Sequence, residues 1–132
     1  MKHFYAADHV EQPADPNTFT GEATLTRMDG VSAQPSINIY RVKFSPRART
    51  AWHKHTGIQL LLILEGECRL QKDGSAIVDL PAGSVVTIEP EERHWHGATT
   101  SGSMVHLAVN IDSTTEWYEQ VTDDQFLGNR QT

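Results

Sequence analysis

Trp52-His53-Lys54-His55-Thr56-Gly57-Ile58-Gln59-Leu60-Leu61-Leu62-Ile63-Leu64-Glu65-Gly66 is the stretch whose reading decides both the fold and the position of the chemistry. His53 and His55 are two apart, so on an extended strand both imidazoles leave the same face. Thr56-Gly57 is a turn signal that folds the chain back and brings Gln59 beside them. The apolar run 60–64 then reads as one buried strand, too short to cross a membrane. Farther on, His94-Trp95-His96 repeats the same-face pair. Three imidazoles and the Gln59 carboxamide oxygen would make a metal site with neutral ligands only.

Working outward, the flanking segments also alternate. In residues 36–44, Ile37, Ile39, Arg41 and Lys43 share one face, and Asn38, Tyr40, Val42 and Phe44 the other. Ser45-Pro46-Arg47-Ala48 turns the chain into the histidine stretch. Past Gly66, residues 68–71 read as a strand, Lys72-Asp73-Gly74 as a hairpin turn and 75–80 as its return. Pro81-Ala82-Gly83 turns again before a strand at 85–88, and Glu89-Pro90-Glu91-Glu92 turns into His94. Residues 104–111 form a strand with His106, Ala108 and Asn110 on one face. Residues 19–28 hold a strand or two among prolines that preclude long regular structure, and 114–121 alternates again. Thr122 followed by Gln125 caps one short terminal turn of helix. Short strands, turns every eight to twelve residues and little helix specify an all-β sandwich or barrel.

A chain of 132 residues is expected to form one domain with a real core. Eleven basic against seventeen acidic residues give a net charge of −6, which argues against a nucleic-acid or acidic-membrane surface. Cys68 is the lone cysteine and has no intrachain partner, and no apolar signal segment follows Met1, so a reducing cytoplasm is the simplest expectation. In its alternating strand Cys68 reads as a small core residue. Seven histidines are the compositional outlier; His3 and His9 lie in the weakly patterned start and carry no expected chemistry.

These residues resemble the motifs of a small single-domain cupin. That family's first motif has a His-x-His pair, an acidic or amide ligand and a later glycine, matched by His53, His55, Gln59 and Gly66. Arg47 or Ala48 stands where its leading glycine falls. Gly83 and His94 match the second motif. Glu89-Pro90-Glu91 replaces its usual proline and glycine, and Ala98 its final asparagine. Because a glutamate with φ > 0 costs on the order of 1 kcal/mol, this turn is expected to be rebuilt with the ligand kept. The resemblance implies a jelly-roll β-barrel (a double-stranded β-helix) with its core at about 37–111, N-terminal strands in 1–36, and a strand and short helix in 112–132.

Four further runs, at 49–55, 94–98, 104–108 and 119–123, resemble the manganese-dependent bacterial hydroxynitrile lyases of cupin fold. The resemblance implies one divalent transition metal, manganese first and iron, zinc or nickel as alternatives, on His53, His55, Gln59 and His94. It places His106, and His96 beside it, as acid or base. Tyr40, Val42, Phe44 and Asn110 line the cavity by strand parity. Trp52 and Trp95 point away, into core or interface. A lyase for a small hydroxyl-bearing substrate such as a cyanohydrin is the leading expectation. A metal dioxygenase, a sugar isomerase and a non-catalytic ligand-binding cupin remain open beside it. Expected partners are a small molecule and a second copy of the chain, in a homodimer or higher homo-oligomer, with 19–28 as a candidate swapped or added strand. Neither nucleic acid nor membrane is expected. Because a ligating imidazole must be neutral, metal affinity is expected to fall below about pH 6.

Overall fold

A computed structural model describes residues 1–129. Alternation becomes strand through most of the sequence that carries it, though within 114–121 only Thr115–Trp117 is strand. In chain order the strands are β1 (Gln12–Pro13), β2 (Phe19–Thr20), β3 (Ala23–Ala33), β4 (Ser36–Phe44), β5 (Arg49–Thr50), β6 (His53–His55) and β7 (Ile58–Glu65). They continue as β8 (Glu67–Lys72), β9 (Val78–Pro81), β10 (Val85–Ile88), β11 (His94–Ala98), β12 (Met104–Ile111) and β13 (Thr115–Trp117). One helix, α1 (Asp123–Leu127), follows a 3-10 turn at Ala6–Asp8 in the helix count.

Two antiparallel sheets face each other in a jelly roll. One runs β1-β3-β4-β12-β7-β10; the other runs β13-β6-β11-β5-β2, with β8 and β9 attached through β11. Between them lies a core of Val42, Phe44, Leu61, Ile63, Cys68, Ile88 and Met104, among others. Cys68 is fully buried, and burial pushes its thiol up to about 12, so it acts as packing and not as a nucleophile. A second cluster of Trp52, Trp95, Val121 and Phe126 seals the outside of the histidine-bearing sheet. Phe126 comes from α1, whose capping box joins Thr122 and Gln125 and whose end is the left-handed Gly128.

Three expectations are corrected. The run 60–64 is buried on one face only: Leu61 and Ile63 are buried while Leu60 and Leu62 are half-exposed. The 72–74 turn is tight, the Ser75 amide donating to the Lys72 carbonyl at 2.9 Å, but the return strand expected at 75–80 starts only at Val78. The β8–β9 pairing ends at Leu70 with Val78, and residues 75–77 are not strand. Finally, the Glu89–Glu92 turn is not rebuilt. Glu91 itself takes φ 67°, and Arg47 takes φ 72° where the leading glycine would stand. The Glu91 amide donates to the His55 carbonyl at 2.8 Å, and its carboxylate meets Lys54 Nζ at 2.7 Å. Those contacts offset a backbone cost of about 1 kcal/mol.

Candidate metal centre

Each imidazole is placed by strand pairing. His53 and His55 occupy β6, and His94 is the cross-strand partner of His53 on β11, with His96 two residues along the same face. From the opposite sheet, Gln59 of β7 pairs with Asn110 of β12, and His106 and Ala108 share that inward face. The turn between β6 and β7 requires glycine at 57, since a Cβ there would sit 2.3 Å from the Ile111 carbonyl oxygen. That close approach sets Gln59 beside the histidines.

All five histidines are buried, as is Gln59. His53 Nδ1 lies 2.8 Å from the Ala51 carbonyl and His94 Nδ1 2.8 Å from the Glu92 carbonyl. A carbonyl only accepts, so both rings carry their proton on Nδ1 and keep Nε2 as a lone pair. His55 Nδ1 meets the Thr115 hydroxyl at 2.9 Å. The Gln59 amide nitrogen donates to Asn110 Oδ1 at 2.7 Å, which turns the Gln59 Oε1 lone pairs away. His96 and His106 face each other, Nδ1 to Nε2, at 3.0 Å.

What remains is a set of buried polar atoms without partners: His55 Nε2, Gln59 Oε1, His94 Nε2, His96 Nε2 and His106 Nδ1. Leaving one such atom unsatisfied costs about 1–3 kcal/mol, so five in one place need a ligand to account for them. His53, His94 and His96 offer ring nitrogens all within 4.8 Å of one another, a three-histidine group positioned to bind a metal ion. This compact triplet includes His96 and not His55. Burial is the first cause of every histidine shift: His55, His94 and His106 are pulled down to about 4, and His53 and His96 well below the usual 6.5. The cluster is neutral at pH 7, the form a metal requires.

The imidazoles His53, His55, His96 and His106 open into a cavity of about 390 Å³. Tyr40, Val42, Phe44 and Asn110 line it. Sequence reading passed over several other lining residues. Trp117 leans over His53 with ring centroids 4.5 Å apart, and Thr115 orients His55; the alternation at 114–121 was the available signal. Arg27 projects inward from β3 and lies 5.6 Å from the Tyr40 ring centroid. Trp52 and Trp95 lie on the far side, in the second core cluster.

Residues 40–110 match the cupin domain. The chain belongs to the cupin family. It is 42% identical over 117 residues to an (R)-mandelonitrile lyase from Granulicella tundricola, covering 86% of this chain and 88% of that one. Among solved structures, a cupin-like protein from Thermotoga maritima is 30% identical with a TM-score of 0.83, over 88% of this chain and 90% of that chain. The polyketide cyclase RemF from Streptomyces resistomycificus, 17% identical with a TM-score of 0.69, covers 96% of this cupin and 90% of its own chain and shares the fold. No helix among the described residues is long and apolar enough to cross a membrane.

Proposed function

We propose that this cupin is a metal-dependent lyase that cleaves a small cyanohydrin, with one divalent ion, manganese first, held by His53, His55, Gln59 and His94. The observation that carries the reading is the convergence of unpartnered buried acceptors in a cluster that burial keeps neutral. Such nitrogen and carboxamide donors suit manganese, iron, nickel and zinc. An ion held there supplies Lewis acidity toward a hydroxyl or carbonyl oxygen. The 42% identity to a mandelonitrile lyase supports the choice of substrate class.

The residues of the chain then divide the work. Ala51, Thr115, Glu92 and Asn110 hold the four donors in orientation through the hydrogen bonds described above. Phe44, Val42, Tyr40 and Trp117 wall the substrate from water. Within the His96–His106 pair, one proton decides the roles. With His106 Nε2–H donating to His96 Nδ1, His106 Nδ1 is the free base. That nitrogen takes the substrate hydroxyl proton, the oxygen's electron pair closes the carbonyl, and the C–CN pair leaves with cyanide, which recovers the proton. With the opposite tautomer, His96 Nε2 is the free acceptor, and the His53–His94–His96 triplet becomes the ligand set.

Two variants separate these ligand sets. His55→Ala loses the ion and His96→Ala keeps it under the first; the reverse pattern establishes the second. The activity test is aldehyde release from racemic mandelonitrile by the metal-loaded protein, with and without dioxygen. Release in both atmospheres is expected. Turnover only in dioxygen establishes an oxygenase, and a metal-loaded protein without turnover of cyanohydrins establishes a binding module.

A further inference from the structure

On β3 every second residue faces inward, as Ala23, Leu25 and Arg27. The first two pack against the main core, and the third continues their face as a guanidinium. Its row crosses the sheet as Tyr40 on β4 and Ala108 on β12, next to the row of Leu25, Val42 and His106. Among the described residues Arg27 is the one arginine or lysine that lines the cavity.

Its charge is not engaged inside the protein. Arg49 pairs with Asp123, Arg69 with Asp79 and Arg93 with Glu119. Among the described residues no ion pair or hydrogen bond holds the Arg27 side chain, which lies against the Tyr40 ring. Burial first, and Asp29 next, hold the Tyr40 phenol above its usual value, so the phenol stays neutral and leaves the cation uncompensated. Asp15, the carboxylate on the cavity lining, accepts from the Asn17 amide at 2.9 Å. An arginine that served only solubility would alternate outward to water. This one turns inward with its N–H fork unoccupied.

We propose that Arg27 is a specificity residue, which receives a carboxylate carried by the substrate at the end opposite its hydroxyl. The proposal rests on the cavity being the substrate site and names the class of substrate more closely. The planar guanidinium matches a carboxylate with two parallel hydrogen bonds. Strand β3 lies two strands from β12, about 10 Å at the usual spacing, and the long arginine side chain reaches back over part of that distance. A substrate with its hydroxyl beside His106 and its carboxylate on Arg27 therefore has a middle about the size of one six-membered ring. Tyr40, Val42 and Phe44 make the wall along that path apolar. Charge favours the same orientation. The chain carries −6 overall, yet the histidines and Gln59 at the inner end add no negative charge, so an anion that enters meets a cation first. The substrate class is a small hydroxy or oxo carboxylate with an aromatic or apolar middle.

Calorimetric titration of 4-(hydroxymethyl)benzoate and of benzyl alcohol into the full chain as purified reads this without turnover. Wild type is expected to bind the carboxylate at least about fivefold more tightly than the alcohol. Arg27→Gln, at an exposed position and checked by circular dichroism, is expected to bring the ratio near one, and Arg27→Lys to recover part of it. Equal affinity for the two ligands in wild type overturns the proposal. So does a preference that survives Arg27→Gln, which would place the carboxylate on the metal centre. Kinetics of the metal-loaded protein supply the second reading. For the cyanohydrin of 4-formylbenzoate, Arg27→Gln is expected to raise KM at least about fivefold more than it does for mandelonitrile, with kcat little changed. An equal rise for both substrates counts against a carboxylate site. If wild type cleaves neither cyanohydrin while the binding preference and its loss in Arg27→Gln hold, the lyase reading falls and the carboxylate site stands.

Discussion

β11 separates two environments by one residue. His94 and His96 face the cavity, and Trp95 between them faces the second core cluster. On the Trp95 side every long polar group has a partner. The indole of Trp95 donates to Gln71 at 3.0 Å and that of Trp52 to Gln125 at 3.3 Å. Buried Arg49 donates to the Val121 carbonyl at 2.6 Å and meets Asp123 at 2.9 Å, and its guanidinium lies 4.8 Å from the Phe126 ring centroid. On the histidine side, five buried polar atoms have none. The histidines and the two tryptophans are alike buried, so burial does not distinguish the faces. Satisfaction does: the first face is built for stability, and the second keeps its lone pairs free for a ligand.

Substitutions at adjacent residues should therefore fail in opposite ways. His94→Ala is expected to abolish metal retention, measured by elemental analysis, while the melting temperature of the metal-free protein stays within a few degrees of wild type. Trp95→Ala empties the centre of the second core and should cost about 3–5 kcal/mol in denaturant unfolding. Its folded fraction, at low temperature, should still hold metal. If Trp95→Ala lost the ion while remaining folded, the two faces would not be independent. His106→Ala sharpens the division within the cavity itself. It should keep metal near wild type and lower turnover of mandelonitrile by about 10²–10⁴. Full activity in that variant would remove His106 from the mechanism.

Acid should also act on one side only. His55, His94 and His106 have folded-state values near 4, below the 6.5 of an exposed imidazole. The unfolded chain therefore binds more protons between these limits, so the stability they contribute is present above about 6.5 and lost as pH falls through about 4. Thermal melts of the metal-free protein from pH 7 to 4 should show a falling midpoint, and His94→Ala should flatten the curve. Burial also moves the expected loss of metal affinity from about pH 6 toward 4, because protons compete weakly for these nitrogens. The smallest effect belongs to the satisfied side. Thr122→Ala removes the cap of α1 and should cost about 1 kcal/mol without changing metal content.

Much of this was legible in the sequence because strand period and turn chemistry are local. Ser36–Phe44, Val85–Ile88 and Met104–Ile111 follow from alternation alone, as does the Thr122–Gln125 cap. The motif spacing brought His53, His55, Gln59 and His94 into one cluster with His96 and His106. What was not legible depends on partners far away in sequence. Glu91 tolerates a left-handed backbone because Lys54 and the His55 carbonyl hold it. Trp117 reaches His53 only once β13 pairs with β6. The run 60–64 looked buried because its outward leucines are as apolar as its inward ones, and only the sheet order shows which face they occupy.

The most direct test of the account is the metal content of the protein. Chain purified under reducing conditions, loaded with manganese at pH 7, desalted and analysed for its elements should retain close to one ion per chain, and His53→Ala close to none. Wild-type protein that is folded by circular dichroism and retains no manganese, iron, zinc or nickel when each is offered in turn would contradict it.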